Sequence, residues 1–143
     1  MPKKILIIKS SSMGDIVHAL PVAYDIKKHY PDCELSWVVE ESFTDIPKLS
    51  PFVDKLVVTA FRRWRKNIFS SSVRGEILAV RRALAEAKYD IVIDLQGLIR
   101  TAVVARWAGV ESVGYSKENI KEPLAAHFYS RTFPVSNKLV PVV

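Results

Sequence analysis

The chain has 143 residues, 49% of them hydrophobic and 25% charged, with a net charge of +6 and a single cysteine. That length fits one folded unit able to bury roughly 68–70% of its unfolded surface. Cys33 has no partner for an internal disulfide and fits a reducing compartment, no apolar run approaches the ~18 residues of a membrane span, and the positive excess points to an anionic partner such as nucleic acid, acidic lipid or a phosphorylated small molecule.

Residues 5–8 form a short, continuous apolar run, the pattern of a strand buried on both faces of a parallel sheet. A helix is predicted from Gly14 and Asp15 to about Tyr30, with Pro21 either kinking it or opening its main body. Strands follow at 35–40 and within 53–60, separated by Pro47 and Pro51. Residues 61–74 are basic and serine-bearing and read as an excursion. The spacing of Ile77, Val80, Ala83, Leu84 and Ala87 predicts a helix over 76–88, with Arg81, Arg82, Glu86 and Lys88 opposite. A buried strand at 89–95, a helix at 98–108, a strand at 110–115, a short helix at 123–129 and an extended piece at 132–135 complete the pass.

Alternating strands and helices imply βαβ units, so the fold class is α/β: a Rossmann-like parallel sheet with helices on both faces. Ligands of such sheets bind beyond the carboxyl ends of the strands. Three polar loops follow strands here: 9–15, the segment from Phe61, and Gln96–Gly97. Topology should bring all three to one edge.

The first loop, "KSSSMGD", lacks both standard glycine-rich phosphate fingerprints. Asp15 sits where a first-turn carboxylate caps a helix, the reading its position alone favours, and where a general base could also stand at the edge of the sheet. The helix terminus and Lys9 would both keep it ionised. In "FRRWRKNIF", Arg62, Arg63, Arg65 and Lys66 surround Trp64, and a helix there would align Phe61, Trp64 and Ile68 with Phe69 beside them. Four readings stay open for this segment: a solvated basic face over core aromatics, a nucleic-acid patch, an interfacial segment on an anionic leaflet, or a fork for substrate carboxylates and phosphates. In "DLQGL", Gly97 permits a sharp turn, Gln96 offers an amide to a ligand hydroxyl, and Asp94 can bond locally. His18, His29 and His127 lack metal-ligand spacing, so no metal or other cofactor is expected.

Taken in order, "KSSSMGDIVHALP", "WVVEESFTDIP", "FRRWRKNIFS", "YDIVIDLQGLIRTA" and "KEPLAAHFYSR" resemble the lipopolysaccharide heptosyltransferase I family along nearly the whole chain. The resemblance implies the N-terminal half of a GT-B glycosyltransferase, with residues 1–143 as a single acceptor-binding domain and the nucleotide-sugar-binding C-terminal domain absent. It implies an inverting, metal-free transfer of L-glycero-D-manno-heptose from ADP-heptose to Kdo2-lipid A at the cytoplasmic face of the inner membrane, with the chain peripherally attached. Carried over residue by residue, Asp15 is the base. Lys9 and Ser11 lie near the acceptor, and Arg62, Arg63 and Arg65 engage its carboxylates and phosphates. Gln96 lines the cleft. Lys121 stands where relatives often carry arginine before E-P-L. The isolated chain is expected to bind acceptor without turning it over, and no nucleic-acid partner is expected. The alternative is a non-catalytic α/β module that binds anions or nucleic acid.

Overall fold

The computed structural model describes residues 3–110, 112–115, 123–129 and 131–133. Its centre is β1 (Lys4–Ile8), whose Ile5, Leu6, Ile7 and Ile8 are buried because helices cover both of its faces. α1 (Met13–His29) follows, then β2 (Glu34–Glu40), β3 (Lys55–Thr59), α2 (Phe61–Lys66), α3 (Ser71–Glu86), β4 (Ile91–Asp94), α4 (Ile99–Trp107), β5 (Ser112–Tyr115), the 3-10 helix Pro123–Phe128 and β6 (Arg131–Phe133). All strand pairs are parallel, in the order β3-β2-β1-β4-β5-β6.

Side-chain alternation along the strands splits the core into two layers. Ile5, Ile7, Leu35, Trp37 and Val39 meet Ile16, Ala19 and Ala23 of α1. Leu6, Ile8, Val38 and Val92 face the other way, onto Leu84 of α3 and Val104, Ala105 and Ala108 around α4. Covering each buried aliphatic side chain contributes about 1.5–3 kcal/mol before entropy is charged against it.

Several boundaries differ from the sequence reading. Pro21 lies inside one continuous α1 and removes one bond from its ladder. The helix expected from residue 76 begins at Ser71, because the Ser70 hydroxyl accepts from the Val73 N–H at 3.5 Å and caps it. It ends at Glu86, before Lys88 turns to a φ of 54°. Ala83, expected on the buried stripe, faces solvent, while Val73 and Leu84 carry the buried face. α2 stops at Lys66, so Ile68 and Phe69 are not on the Trp64 stripe and are exposed. The predicted extended residues 134–135 lie outside the described residues.

Candidate active site

The strand order runs outward from β1 to β3 and then returns to β4 beside β1, so the chain reverses direction between β1 and β4. Loops leaving such neighbours diverge and open a crevice at the carboxyl edge. Ile8 is in register with Val38 on one side and Asp94 on the other, which sets the two polar loops side by side.

The loop after β1 is pinned from both flanks. On the β2 side, Trp37 Nε1 donates to the Lys9 carbonyl at 3.0 Å and the Glu40 N–H to the Ser10 carbonyl at 3.0 Å. On the β4 side, Lys9 Nζ donates to the Leu95 carbonyl at 3.0 Å. The Gln96 amide straddles Ser11, accepting from its N–H at 3.4 Å and donating to its hydroxyl at 3.5 Å. Residues 85 apart in sequence are thereby joined across the crevice.

Asp15 is the third residue of α1. Its Oδ2 accepts from the Ser12 N–H at 3.3 Å and from the Ser12 hydroxyl at 3.3 Å, the backbone half of a capping box. The carboxylate is half-buried and is bonded to Ser12, in the loop that leaves the carboxyl end of β1. It caps the helix, and the same position places a carboxylate group at the carboxyl edge of the sheet.

Asp94 anchors the second loop. It is fully buried, and its Oδ1 accepts from the Gln96 N–H at 2.8 Å and the Gly97 N–H at 3.3 Å. Its Oδ2 accepts from the Thr101 hydroxyl at 2.9 Å and from the Tyr129 hydroxyl. Burial pushes its carboxyl above the ordinary carboxylate range, against the opposing pull of these four donors. Gly97 takes a φ of 75°, the left-handed turn expected of it. At Gly114, a Cβ would come within 2.2 Å of the Tyr129 ring, so the glycine is what lets Tyr129 reach Asp94.

From Ser11 a cavity of about 940 Å³ extends over the α3/α4 side of the sheet edge. Phe43, Phe61, Trp64 and Trp107 give it apolar walls, and Arg62, Arg65 and Arg100 bring positive charge to it. Glu40, at the end of β2, holds α2 in place: its carboxylate accepts from the Phe61 N–H at 2.8 Å, the Arg62 N–H at 3.3 Å and the Thr59 hydroxyl at 3.3 Å. Arg100 lies 5.5 Å from the centre of the Phe61 ring.

The structure thus joins Lys9 and Ser11 to the Leu95–Gln96 turn across the crevice, holds Asp15 on Ser12 of the same loop, and puts Arg62 and Arg65 on the adjoining cavity. Arg63 departs from the expected fork. It does not line the cavity, and its guanidinium pairs with Glu76 at 2.6 and 2.7 Å and with Glu41 at 3.3 Å. Those carboxylates hold Arg63 above its already high ordinary range. Lys121 lies outside the described residues. Sequence reasoning missed two contributors. Arg100 had a signal, three residues after Gly97 on the first turn of a helix leaving the same edge. Glu40 had only the polar end of "WVVE". Among the described residues, no group of three His, Cys, Asp or Glu could hold a metal ion, and no helix is long and apolar enough to cross a membrane.

Comparison with known proteins agrees with the motif resemblance. Residues 77–143 match the model of glycosyltransferase family 9 (heptosyltransferase). The chain is 40% identical over 134 residues to lipopolysaccharide heptosyltransferase 1 of Pseudomonas aeruginosa, covering 93% of this chain and 38% of that protein. It is 40% identical over 136 residues to the Escherichia coli K12 protein of the same name, covering 94% and 43%. The structure of E. coli heptosyltransferase WaaC with ADP superposes with a TM-score of 0.89 at 39% identity, covering 96% of this chain and 43% of that one. WaaC with ADP-2-deoxy-2-fluoro heptose gives a TM-score of 0.89 at 40% identity, over 94% and 43%. The parallel six-stranded sheet with helices on both faces matches the WaaC fold. The chain spans about two fifths of the length of the curated relatives it matches.

Proposed function

We propose that this chain is the acceptor-binding domain of a heptosyltransferase of lipopolysaccharide inner-core synthesis, the N-terminal half of a GT-B enzyme, and that it supplies the catalytic base. The reaction is the inverting transfer of L-glycero-D-manno-heptose from ADP-heptose to a Kdo hydroxyl of Kdo2-lipid A. One observation carries this reading. Ser11 bonds Gln96 and lines the arginine cavity, and the next residue, Ser12, is bonded to Asp15, so a carboxylate and an anion site share one edge. The similarity to heptosyltransferases supports the choice of sugar.

In this mechanism Arg62 and Arg65 pair with carboxylates and phosphates of the acceptor. Arg63, held by Glu41 and Glu76, positions α2 rather than touching substrate. Lys9 and Gln96 hold the loop that carries Ser11, and Lys121 is a further acceptor contact. The acceptor oxygen attacks the anomeric carbon from the face opposite ADP. As that C–O bond forms, the C–O bond to the diphosphate breaks and the hydroxyl proton passes to Asp15. A carboxylate is a far weaker base than an alkoxide, so the proton moves late, when the attacking oxygen has become strongly acidic. The donor nucleotide is held by the part of the relatives that this chain does not span. A lipid-borne acceptor also places the protein on the cytoplasmic face of the inner membrane.

Isothermal titration of the chain with de-acylated Kdo2-lipid A tests the acceptor assignment. Saturable binding that drops about tenfold in Arg62→Ala and in Arg65→Ala is expected, each loss corresponding to one charge-assisted pair. Binding of single-stranded nucleic acid in preference to the Kdo compound would overturn it in favour of the anion-binding module.

A further inference from the structure

Residues 61–82 hold seven Lys and Arg and one Glu, which equals the whole +6 excess of the chain. The single acid, Glu76, is paired with Arg63. The same segment exposes apolar side chains. Phe69 is 85% exposed, Ile68 46% and Leu78 45%. Phe69 sits at the turn between α2 and α3, and the Arg74 guanidinium lies 5.9 Å from its ring centre.

The turn is built to keep Phe69 outside. The Asn67 N–H donates to the Trp64 carbonyl at 3.1 Å and the Ser70 N–H to the Asn67 carbonyl at 2.9 Å. Trp64 and Val73, on either side of the turn, are buried together with Ala60. Holding an aromatic ring in solvent has no benefit for folding. It removes the ordering cost when the ring enters another apolar phase.

We infer that the α2–α3 turn docks on an anionic bilayer, with Phe69 entering the leaflet and Lys66 and Arg74 lying against lipid phosphates. Cations flanking an exposed ring also suit stacked bases. The aliphatic Ile68 and Leu78 decide for lipid, because they add to insertion and nothing to stacking. Ile68 also lines the arginine cavity, so docking here would set that cavity's mouth at the membrane surface. The inference deepens the proposed function and rests on it only for which membrane is met.

Sedimentation of the chain with vesicles tests it, comparing pure phosphatidylcholine with a mixture containing phosphatidylglycerol. Binding is expected on the anionic vesicles only. Phe69→Ser should weaken it about tenfold and Phe69→Trp should preserve it. Lys66→Glu or Arg74→Glu should each weaken it about fivefold or more. Phe69 is too exposed for its substitution to unfold the chain. Equal binding by Phe69→Ser, equal binding to neutral vesicles, or no vesicle binding by the unaltered chain would overturn the docking inference. Titration of the Phe69→Ser chain with de-acylated Kdo2-lipid A should be unchanged, which separates this outcome from failure of the acceptor assignment.

Discussion

Replacing Asp94 with alanine removes the acceptor for four donors in a site with no access to water. The Gln96 and Gly97 N–H groups lose their side-chain acceptor, and each buried donor left unmade costs about 1–3 kcal/mol. The Thr101 hydroxyl can fall back on the Leu98 carbonyl at 2.9 Å and costs little. Tyr129 loses the bond that ties the 3-10 helix to β4, adding about 1 kcal/mol. Removing a buried carboxyl group returns part of its desolvation cost, so a net loss of about 3–5 kcal/mol is expected, a large share of the 5–15 kcal/mol typical of a domain. Asp94→Asn keeps an acceptor for the two N–H groups and offers its amide to two hydroxyls able to accept, so it should stay within about 1 kcal/mol of the unaltered chain. Urea unfolding followed by tryptophan fluorescence measures both. The pH dependence supplies a second check. Asp94 titrates higher folded than unfolded, so between those two values the native state binds more protons. The unaltered chain should therefore lose stability relative to Asp94→Asn as pH rises above the ordinary carboxylate range. A loss below about 1 kcal/mol for Asp94→Ala would refute the anchoring role.

Two further substitutions test how the site is held. Gly114→Ala should drive the Tyr129 ring off Asp94, lower stability by about 1–3 kcal/mol in the same unfolding assay, and cost less in a Tyr129→Leu background. Glu40→Ala should release the start of α2, and titration with de-acylated Kdo2-lipid A should show at least about tenfold weaker binding although Glu40 pairs with no arginine side chain.

The buried strands were legible because a parallel strand covered on both faces leaves an uninterrupted apolar run, as in Ile5–Ile8 and around Val92. The meeting of the loops at Ser11 and Gln96 was legible in outline, since parallel topology places every βα loop on one edge. What escaped depends on partners distant in sequence. Nothing near Arg63 announces Glu41, 22 residues before it, or Glu76, 13 after it, yet both carboxylates pair with its guanidinium away from the cavity that Arg62 and Arg65 line. Glu40 likewise gains its role only when β3 delivers Phe61 and Arg62 to it. The start of α3 was hidden for a local reason. "SSVRG" is poor in strong helix formers, and its helical state depends on the Ser70 cap and on Val73 packing against Trp64.

The central claim is that Asp15 is the base, and it is tested most directly by heptose transfer from ADP-heptose to Kdo2-lipid A. The measurement uses this chain completed with the part of a heptosyltransferase relative that it does not span, and compares Asp15 with Asp15→Asn. The amide keeps the shape and an oxygen for Ser12 but cannot take a proton. Turnover should fall by about a hundredfold or more, the usual range for loss of a general base, while acceptor affinity stays within about twofold, less than 0.5 kcal/mol. An unchanged turnover would reduce Asp15 to a helix cap and contradict the account.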